Sequence, residues 1–334
     1  YGVKYEIRIQ NGFPVVKNDE QLFSKVAEKC DYIVVCVGSD WLQEGEYLVN
    51  LGNIKKKPKG SGGDRADLRI PSEDVELINA LSKQGKKLVV NIMGGSAYVI
   101  NEWHEEADAI LFSFYSGLEG GNALADILSG DVNPSGKLPF TIAKNENDYP
   151  AFLHIGSEEK EIDYGYYHGY TLLDKKNVEP EYPFGFGLSY TGFEFSGGSV
   201  EQNENGIKVT LDVKNAGETD GEEVVQVYVS SDNKNEDRPV KLLKGYKRVN
   251  VKAGSTVTAE IIVSLDDIKF YNPENKDWKL DGLKLDFIDS FALRGKSLEY
   301  DEKRDFQSLE DAIHALMTEI RSSLVEINPE IMIE

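Results

Sequence analysis

Residues 109–141 read AILFSFYSGLEGGNALADILSGDVNPSGKLPFT, and the fold of the whole chain can be worked outward from them. Ala109 to Tyr115 is an apolar, aromatic-rich run of strand length. Gly117, Gly120 and Gly121 permit a tight reversal, after which Leu124, Ile127 and Leu128 form a helical stripe that Gly130 is placed to end. Asp131 to Gly136 is turn chemistry, with Asn-Pro-Ser-Gly leading into Lys137 to Thr141. The expectation is strand, glycine turn, helix, turn, strand. A strand end facing a helix start makes a corner that welcomes anions. Glu119 in that corner is expected to accept from backbone amides as a charged carboxylate, which is the wrong behaviour for a proton donor.

Upstream the same alternation repeats. Lys4 to Ile9 alternates like a strand, and Glu20 to Lys29 carries Leu22, Phe23 and Val26 on one helical face. Asp31 to Gly38 is apolar on both faces, which predicts a strand in a parallel sheet covered on both sides. Pro71-Ser72 opens a helix through Val75, Leu77, Ile78 and Leu81, and Lys87 to Met93 is the next buried strand, ending in Gly94-Gly95-Ser96. These units make a layered α/β sandwich over residues 1–143. Its strand C-termini, at Gly38, Gly94 and Ser116, open the edge where such folds bind ligands.

Downstream, residues 144–195 are rich in Tyr, Pro and Gly and are expected to form a linker packed by its aromatics, above all from Tyr182 to Phe195. From Ile207 the period becomes two. Ile207 to Val213, Val224 to Val229, Leu242 to Val251 and Thr256 to Val263 read as alternating strands with Asn215-Ala216-Gly217 and Lys252-Ala253-Gly254 turns. That predicts an all-β sandwich of the immunoglobulin or fibronectin type III kind over residues 196–290. Residues 291–334 form a C-terminal extension with a helix expected over Ser308 to Leu324, where Leu309, Ile313, Leu316, Ile320 and Leu324 keep helical spacing.

Composition narrows the function. With 334 residues and 40% apolar content, the chain can fill two cores. A formal charge of -21 repels phosphate backbones and anionic lipid headgroups, so nucleic acid and membrane surfaces are excluded as partners and neutral or cationic ligands fit better. The turns after Gly38 and Gly94 lack the G-x-G-x-x-G spacing of a dinucleotide site. The four histidines have no metal-ligand spacing, and neither a metal nor a cofactor is expected. Cys30 and Cys36 read as small core residues within one strand region, which favours a reducing, cytoplasmic compartment.

Four passages carry a resemblance: residues 109–141 above, DYIVVCVGSDW at 31–41, EPEYPFGFGLSYTGFEFS at 179–196, and VVQVYVSS at 224–231 with RPVKLLKGYKRV at 238–249. In their order along the chain they resemble the family 3 glycoside hydrolases of the β-glucosidase and β-xylosidase type, over roughly residues 30 to 271. The resemblance implies an α/β sandwich domain lacking its start before Tyr1, then a fibronectin type III-like domain, with no match beyond Lys279. It also implies a β-glucoside or oligosaccharide substrate and a (β/α)8 barrel, in cis or in trans, that carries the nucleophile. Ser39-Asp40-Trp41 spells the tripeptide around that nucleophile, but it follows a strand of the second domain, so Asp40 is rejected.

In the family the acid/base residue comes from a loop after the strand equivalent to Tyr32–Val37, in a Glu-Gly context ahead of an Asp-Arg pair. Here Trp41-Leu42-Gln43-Glu44-Gly45-Glu46-Tyr47 precedes Gly63-Asp64-Arg65. The resemblance therefore assigns Glu44 as acid/base with Glu46 as runner-up, and turns Trp41 or Tyr47 toward the aglycone. The intervening residues, Asn50 to Gly62, are longer and more basic than the family version, which bears on which glutamate reaches the site. Asp64 and Arg65 are expected to pair and anchor this loop, while Trp103 and His104 are expected to pack. Against all this stands the reading of Glu44 and Glu46 as two of 58 acidic residues on a solvated loop, in a non-catalytic carbohydrate-binding or interaction module.

Overall fold

The computed structural model describes residues 8–10, 13–15, 20–39, 65, 67–150, 165–203, 206–231, 237–272, 274–279, 283–288 and 297–299. The chain divides into two compact units: residues 1–124 with 144–147 and 151–162, and residues 125–143 with 148–150 and 163–334.

The first unit begins with a short antiparallel hairpin, β1 (Arg8–Gln10) on β2 (Phe13–Val15), followed by α1 (Glu20–Ala27). α1 buries Phe23 and Ala27, four residues apart and so on one face. Three strands then form a fully parallel sheet in the order β3 (Tyr32–Gly38), β4 (Lys87–Met93), β5 (Ala109–Phe112). Crossover is made by α2 (Ser72–Ser82), which starts after Pro71, carries Glu73 and Asp74 in its first turn where the helix dipole favours them, and packs Ile78 and Leu81 toward β3 and β4. The central strand β4 is buried on both faces through Leu88, Val90, Asn91 and Ile92, as a continuous apolar run in a parallel sheet should be.

β3 departs from that expectation. It is an edge strand among the described ones, and its period of two sends Val35 and Val37 inward while Tyr32, Val34 and Cys36 stand exposed. Cys36 is therefore a surface thiol, approached by the Asn91 amide at 3.7 Å, and Cys30 is half-buried; neither is the core residue expected.

In the opening stretch, β5 stops at Phe112 because Phe114 turns into the left-handed region at φ 53. α3 (Gly120–Ser129) follows and ends at Gly130, φ 82, as expected. Its stripe of Leu124, Ile127 and Leu128 is half-buried. The strand expected at Lys137 to Thr141 does not form. Pro139 has no N–H to offer a ladder, so the segment pairs irregularly with residues 182–186: Leu138 donates to the Phe186 carbonyl at 2.8 Å, Gly185 donates to Leu138, and Ile142 bridges Tyr182.

The second unit holds that segment, the aromatic stretch and an antiparallel sandwich. In the aromatic stretch Tyr182 meets Phe186 with ring centroids 5.0 Å apart, and Tyr170, on α4 (Gly169–Lys176), lies 5.1 Å from Phe184 and 6.0 Å from Tyr228. One sheet is ordered β10 (Thr256–Ser264), β7 (Gly206–Asn215), β6 (Phe193–Asn203). The other is ordered β14 (Ser297–Glu299), β13 (Leu283–Ile288), β8 (Gly221–Ser231), β9 (Leu242–Val251). Alternate residues from both sheets, Val209, Val213, Val227, Val251, Ala259 and Val263 among them, fill one core. A one-turn helix, α5 (Leu265–Ile268), and a hairpin of β11 (Phe270–Asn272) with β12 (Asp277–Lys279) precede β13. β13 closes on β8 from Leu283↔Ser231 to Ile288↔Gln226, so the sandwich extends beyond Lys279, where the resemblance was expected to end. The helix expected over 308–324 lies outside the described residues.

Candidate active site

Glu44, Glu46, Trp41 and Tyr47 all fall in residues 40–64, outside the described residues, as do Asp40 and Asp64. What the structure does give is the two flanks of that span, Ser39 and Arg65, and the sheet edge that receives them.

Ser39 leaves the end of β3 donating its N–H to the Met93 carbonyl at 3.0 Å, so it sits directly beside the end of β4. Gly38 before it has φ 134, and a Cβ there would collide with the same carbonyl, so this close approach requires glycine. The Gly38 N–H donates to the Asp74 carboxylate at 3.2 Å from the first turn of α2. Beyond β4, Gly94 likewise has no room for a Cβ because the Tyr98 hydroxyl occupies that place. The Tyr98 hydroxyl shares a 2.5 Å hydrogen bond with Ser39 Oγ. Arg65 donates through Nη2 to Ser96 Oγ and places its guanidinium carbon 4.5 Å from the centroid of the Tyr98 ring. Tyr98 itself is fully buried.

Arg65 thus meets Ser96 and Tyr98, while its expected partner Asp64 lies outside the described residues. Just beyond it, Asp67 is pushed up by partial burial, but hydrogen bonds from the Arg69 side chain and N–H outweigh this and leave its carboxyl below the usual value. Arg69 bridges Asp67 at 2.8 Å and Glu102 at 3.4 Å. Trp103 packs as expected, 1% exposed, and His104 begins a single 3-10 turn. Glu119 is exposed, and its carboxylate accepts from the Asn122 side-chain amide at 2.5 Å where a backbone amide was expected. The reason is local: Glu119 immediately precedes α3, and the residue three positions on presents its own amide at hydrogen-bond distance.

The sequence marks Gly38, Gly94 and Ser116 as the open edge, shows Ser39 only as part of the Ser39-Asp40-Trp41 tripeptide, and gives no role to Asp74 or Tyr98. The available signal was that Tyr98 closely follows the Gly94-Gly95-Ser96 strand end. Among the described residues no group of three or more His, Cys, Asp or Glu is placed to hold a metal, and no helix is long and apolar enough to cross a membrane.

A parallel α/β sheet with a glycine-lined C-terminal edge, followed in the chain by a fibronectin type III-like sandwich, defines the class. The sequence model of the glycosyl hydrolase family 3 C-terminal domain matches residues 5–190, starting well before residue 30, and that of the fibronectin type III-like domain matches residues 223–287. The chain belongs to glycosyl hydrolase family 3. It is 34% identical over 242 residues to thermostable beta-glucosidase B of Acetivibrio thermocellus, which covers 71% of this chain and 32% of that protein. It is 34% identical over 276 residues to the periplasmic beta-glucosidase of Salmonella typhimurium, covering 81% of this chain and 34% of the other. Among solved structures, beta-glucosidase from Kluyveromyces marxianus in complex with glucose superimposes with a TM-score of 0.72 at 31% identity, over 87% of this chain and 34% of that one. The chain spans about a third of the length of these curated relatives.

Proposed function

We propose that this chain supplies the acid/base loop and accessory domains of a retaining β-glucosidase acting on terminal β-linked glucosyl residues. Glu44 is the acid/base and Glu46 the runner-up, Trp41 and Tyr47 face the aglycone, and the nucleophile stands on a (β/α)8 barrel in cis or in trans. The observation that carries the reading is the family match over residues 5–190, which runs through the Glu44 span, in a chain that spans only about a third of the length of its curated relatives. In such chemistry one carboxylate attacks the anomeric carbon while the other, about 5–5.5 Å away, protonates the leaving oxygen and then takes a proton from the incoming water. A chain holding one member of that pair has no turnover by itself.

The test is hydrolysis of an aryl β-glucoside by this chain alone and after a family 3 barrel domain is added. The expected result is no activity alone, activity on complementation, and a loss of about 10²–10⁴-fold in Glu44→Gln. Robust hydrolysis by the isolated chain would sink the proposal. Loss in Glu46→Ala but not in Glu44→Ala would exchange the two assignments.

One observation favours a second reading, a non-catalytic carbohydrate-binding module. On the hairpin of β11 and β12, Tyr271 and Trp278 are both exposed with ring centroids 5.6 Å apart, an open aromatic pair of the kind that marks binding surfaces. Calorimetric binding of a β-glucan oligosaccharide that disappears in Trp278→Ala would favour it. Indifference to the oligosaccharide would dismiss it.

A further inference from the structure

The two flanks of the span 40–64 lie far apart in sequence, yet both end on one side chain. Ser39 Oγ and the Tyr98 hydroxyl are 2.5 Å apart, and the Arg65 guanidinium lies over the face of the same tyrosine ring while bonding Ser96 two residues before it. We propose that Tyr98 is a positioning residue that clasps Ser39 and Arg65, the two residues that flank this span, and so holds both at the sheet edge. As a statement about catalysis it rests on the assignment of Glu44 above; as a statement about the clasp it does not.

The surroundings make the clasp stiff. Tyr98 is fully buried and followed by Val99 and Ile100, also buried, and the Val99 N–H donates to the Leu68 carbonyl at 2.8 Å, tying the tyrosine's own segment to the chain just past Arg65. On the entry side Ser39 is held a second time by the Met93 carbonyl, and Gly38 by Asp74. A buried ring that offers its hydroxyl at one end and its π-face to a guanidinium uses both halves of a tyrosine. Phenylalanine keeps only the second. The two contacts can therefore be removed one at a time.

The experiment uses the full chain and measures amide hydrogen exchange of peptides covering residues 36–70, with a peptide from β8 as control. Tyr98→Phe and Ser39→Ala each remove the same hydrogen bond, so each should speed exchange in the peptide containing Ser39 about fivefold, and the double variant should add nothing further. Arg65→Met should act on the exit peptide, with the β8 peptide unchanged in all variants. Additive effects of Tyr98→Phe and Ser39→Ala, no change in either, or an equal rise in the β8 peptide would overturn the clasp. In the barrel-complemented enzyme, Tyr98→Phe should lower kcat about fivefold to tenfold at unchanged KM, and Tyr98→Leu should do worse, with phenylalanine as partial rescue. A speeded exchange with unchanged kcat would refute the positioning role and leave only a structural bond. Absence of activity in the complemented wild type would count against the Glu44 assignment, while the exchange data would still decide the clasp.

Discussion

Lys137 to methionine is the most discriminating change for the second unit. Lys137 follows the Asn-Pro-Ser-Gly turn, and its ammonium is 2.9 Å from one carboxylate oxygen of Glu223 on β8, 3.1 Å from the other, and donates to the Gly187 carbonyl at 2.8 Å. The side chains are only 8% and 1% exposed, so neither charge has water as an alternative partner. Replacing the lysine takes this cation away from a buried carboxylate, at a cost of about 3–5 kcal/mol. At about 2–4 °C per kcal/mol for a unit of this size, the sandwich transition should fall by about 6–20 °C in calorimetry. Adding Glu223→Leu removes the buried carboxylate as well and should bring stability back to within about 2 kcal/mol of the parent, the remaining loss being the Gly187 hydrogen bond and imperfect packing. The reasoning is refuted if Lys137→Met costs under about 1 kcal/mol, or if the double variant is no more stable than the single one.

Gly38→Ala meets both a φ of 134 and a collision with the Met93 carbonyl, so it should destabilise the first unit by about 3 kcal/mol in urea titration; a cost near zero would mean that β3 and β4 part easily at their C-terminal ends. The acid response follows from carboxyls held below their ordinary value: Asp108, by the hydrogen bond from Lys87 and then the Leu88 N–H, and Asp67, where Arg69 outweighs burial. Because the folded value lies below the unfolded one, their stabilisation is complete above about pH 4 and is lost as pH falls through the folded value. Both side chains are more than a third exposed, so each contributes under about 1 kcal/mol. An Asp67→Asn, Asp108→Asn variant should therefore lose less melting temperature than the parent between pH 7 and pH 3, and equal losses would contradict the assignment.

The regular elements were legible because their periods are unambiguous. β4 and β9 fall on the residues read from the sequence, β4 because its apolar run is continuous, and β7 and β10 extend their readings by one or two positions, since alternation of apolar residues against Lys, Thr, Asp and Glu leaves one buried face. The misreadings have separate causes. Cys36 looks like core until strand order makes β3 an edge, and order is not a local property. Lys137 to Thr141 has strand-like side chains but a proline in its middle. Leu283 to Ile288 was passed over although Leu283, Leu285 and Phe287 alternate with Lys284 and Asp286, and the pairing with β8 needed the tertiary fold to show it. At the site, the glycine edge was visible in sequence, but the clasp was not: Ser39 and Tyr98 are 59 positions apart, and Arg65 and Ser96 are 31 apart. A pairing of that separation leaves no periodic trace.

Asn133, in the turn that announces the family, carries a consequence for synthesis. Its side chain donates to the Asp220 carbonyl at 3.0 Å and accepts from Ser189 Oγ at 2.9 Å and from the Tyr190 N–H at 2.8 Å. These partners lie 56, 57 and 87 positions later in the chain. At about 5–20 residues per second, a ribosome needs about 4–17 s after adding Asn133 before Asp220 exists at all. Ser189 and Tyr190 are made within that interval, so the two hydrogen bonds that Asn133 accepts can form before the one it donates, and a chain cut short of Asp220 would lack only the third. The turn most useful for recognising the chain is thus completed only by residues made long after it, and its last tie waits for the strand that Asp220 precedes.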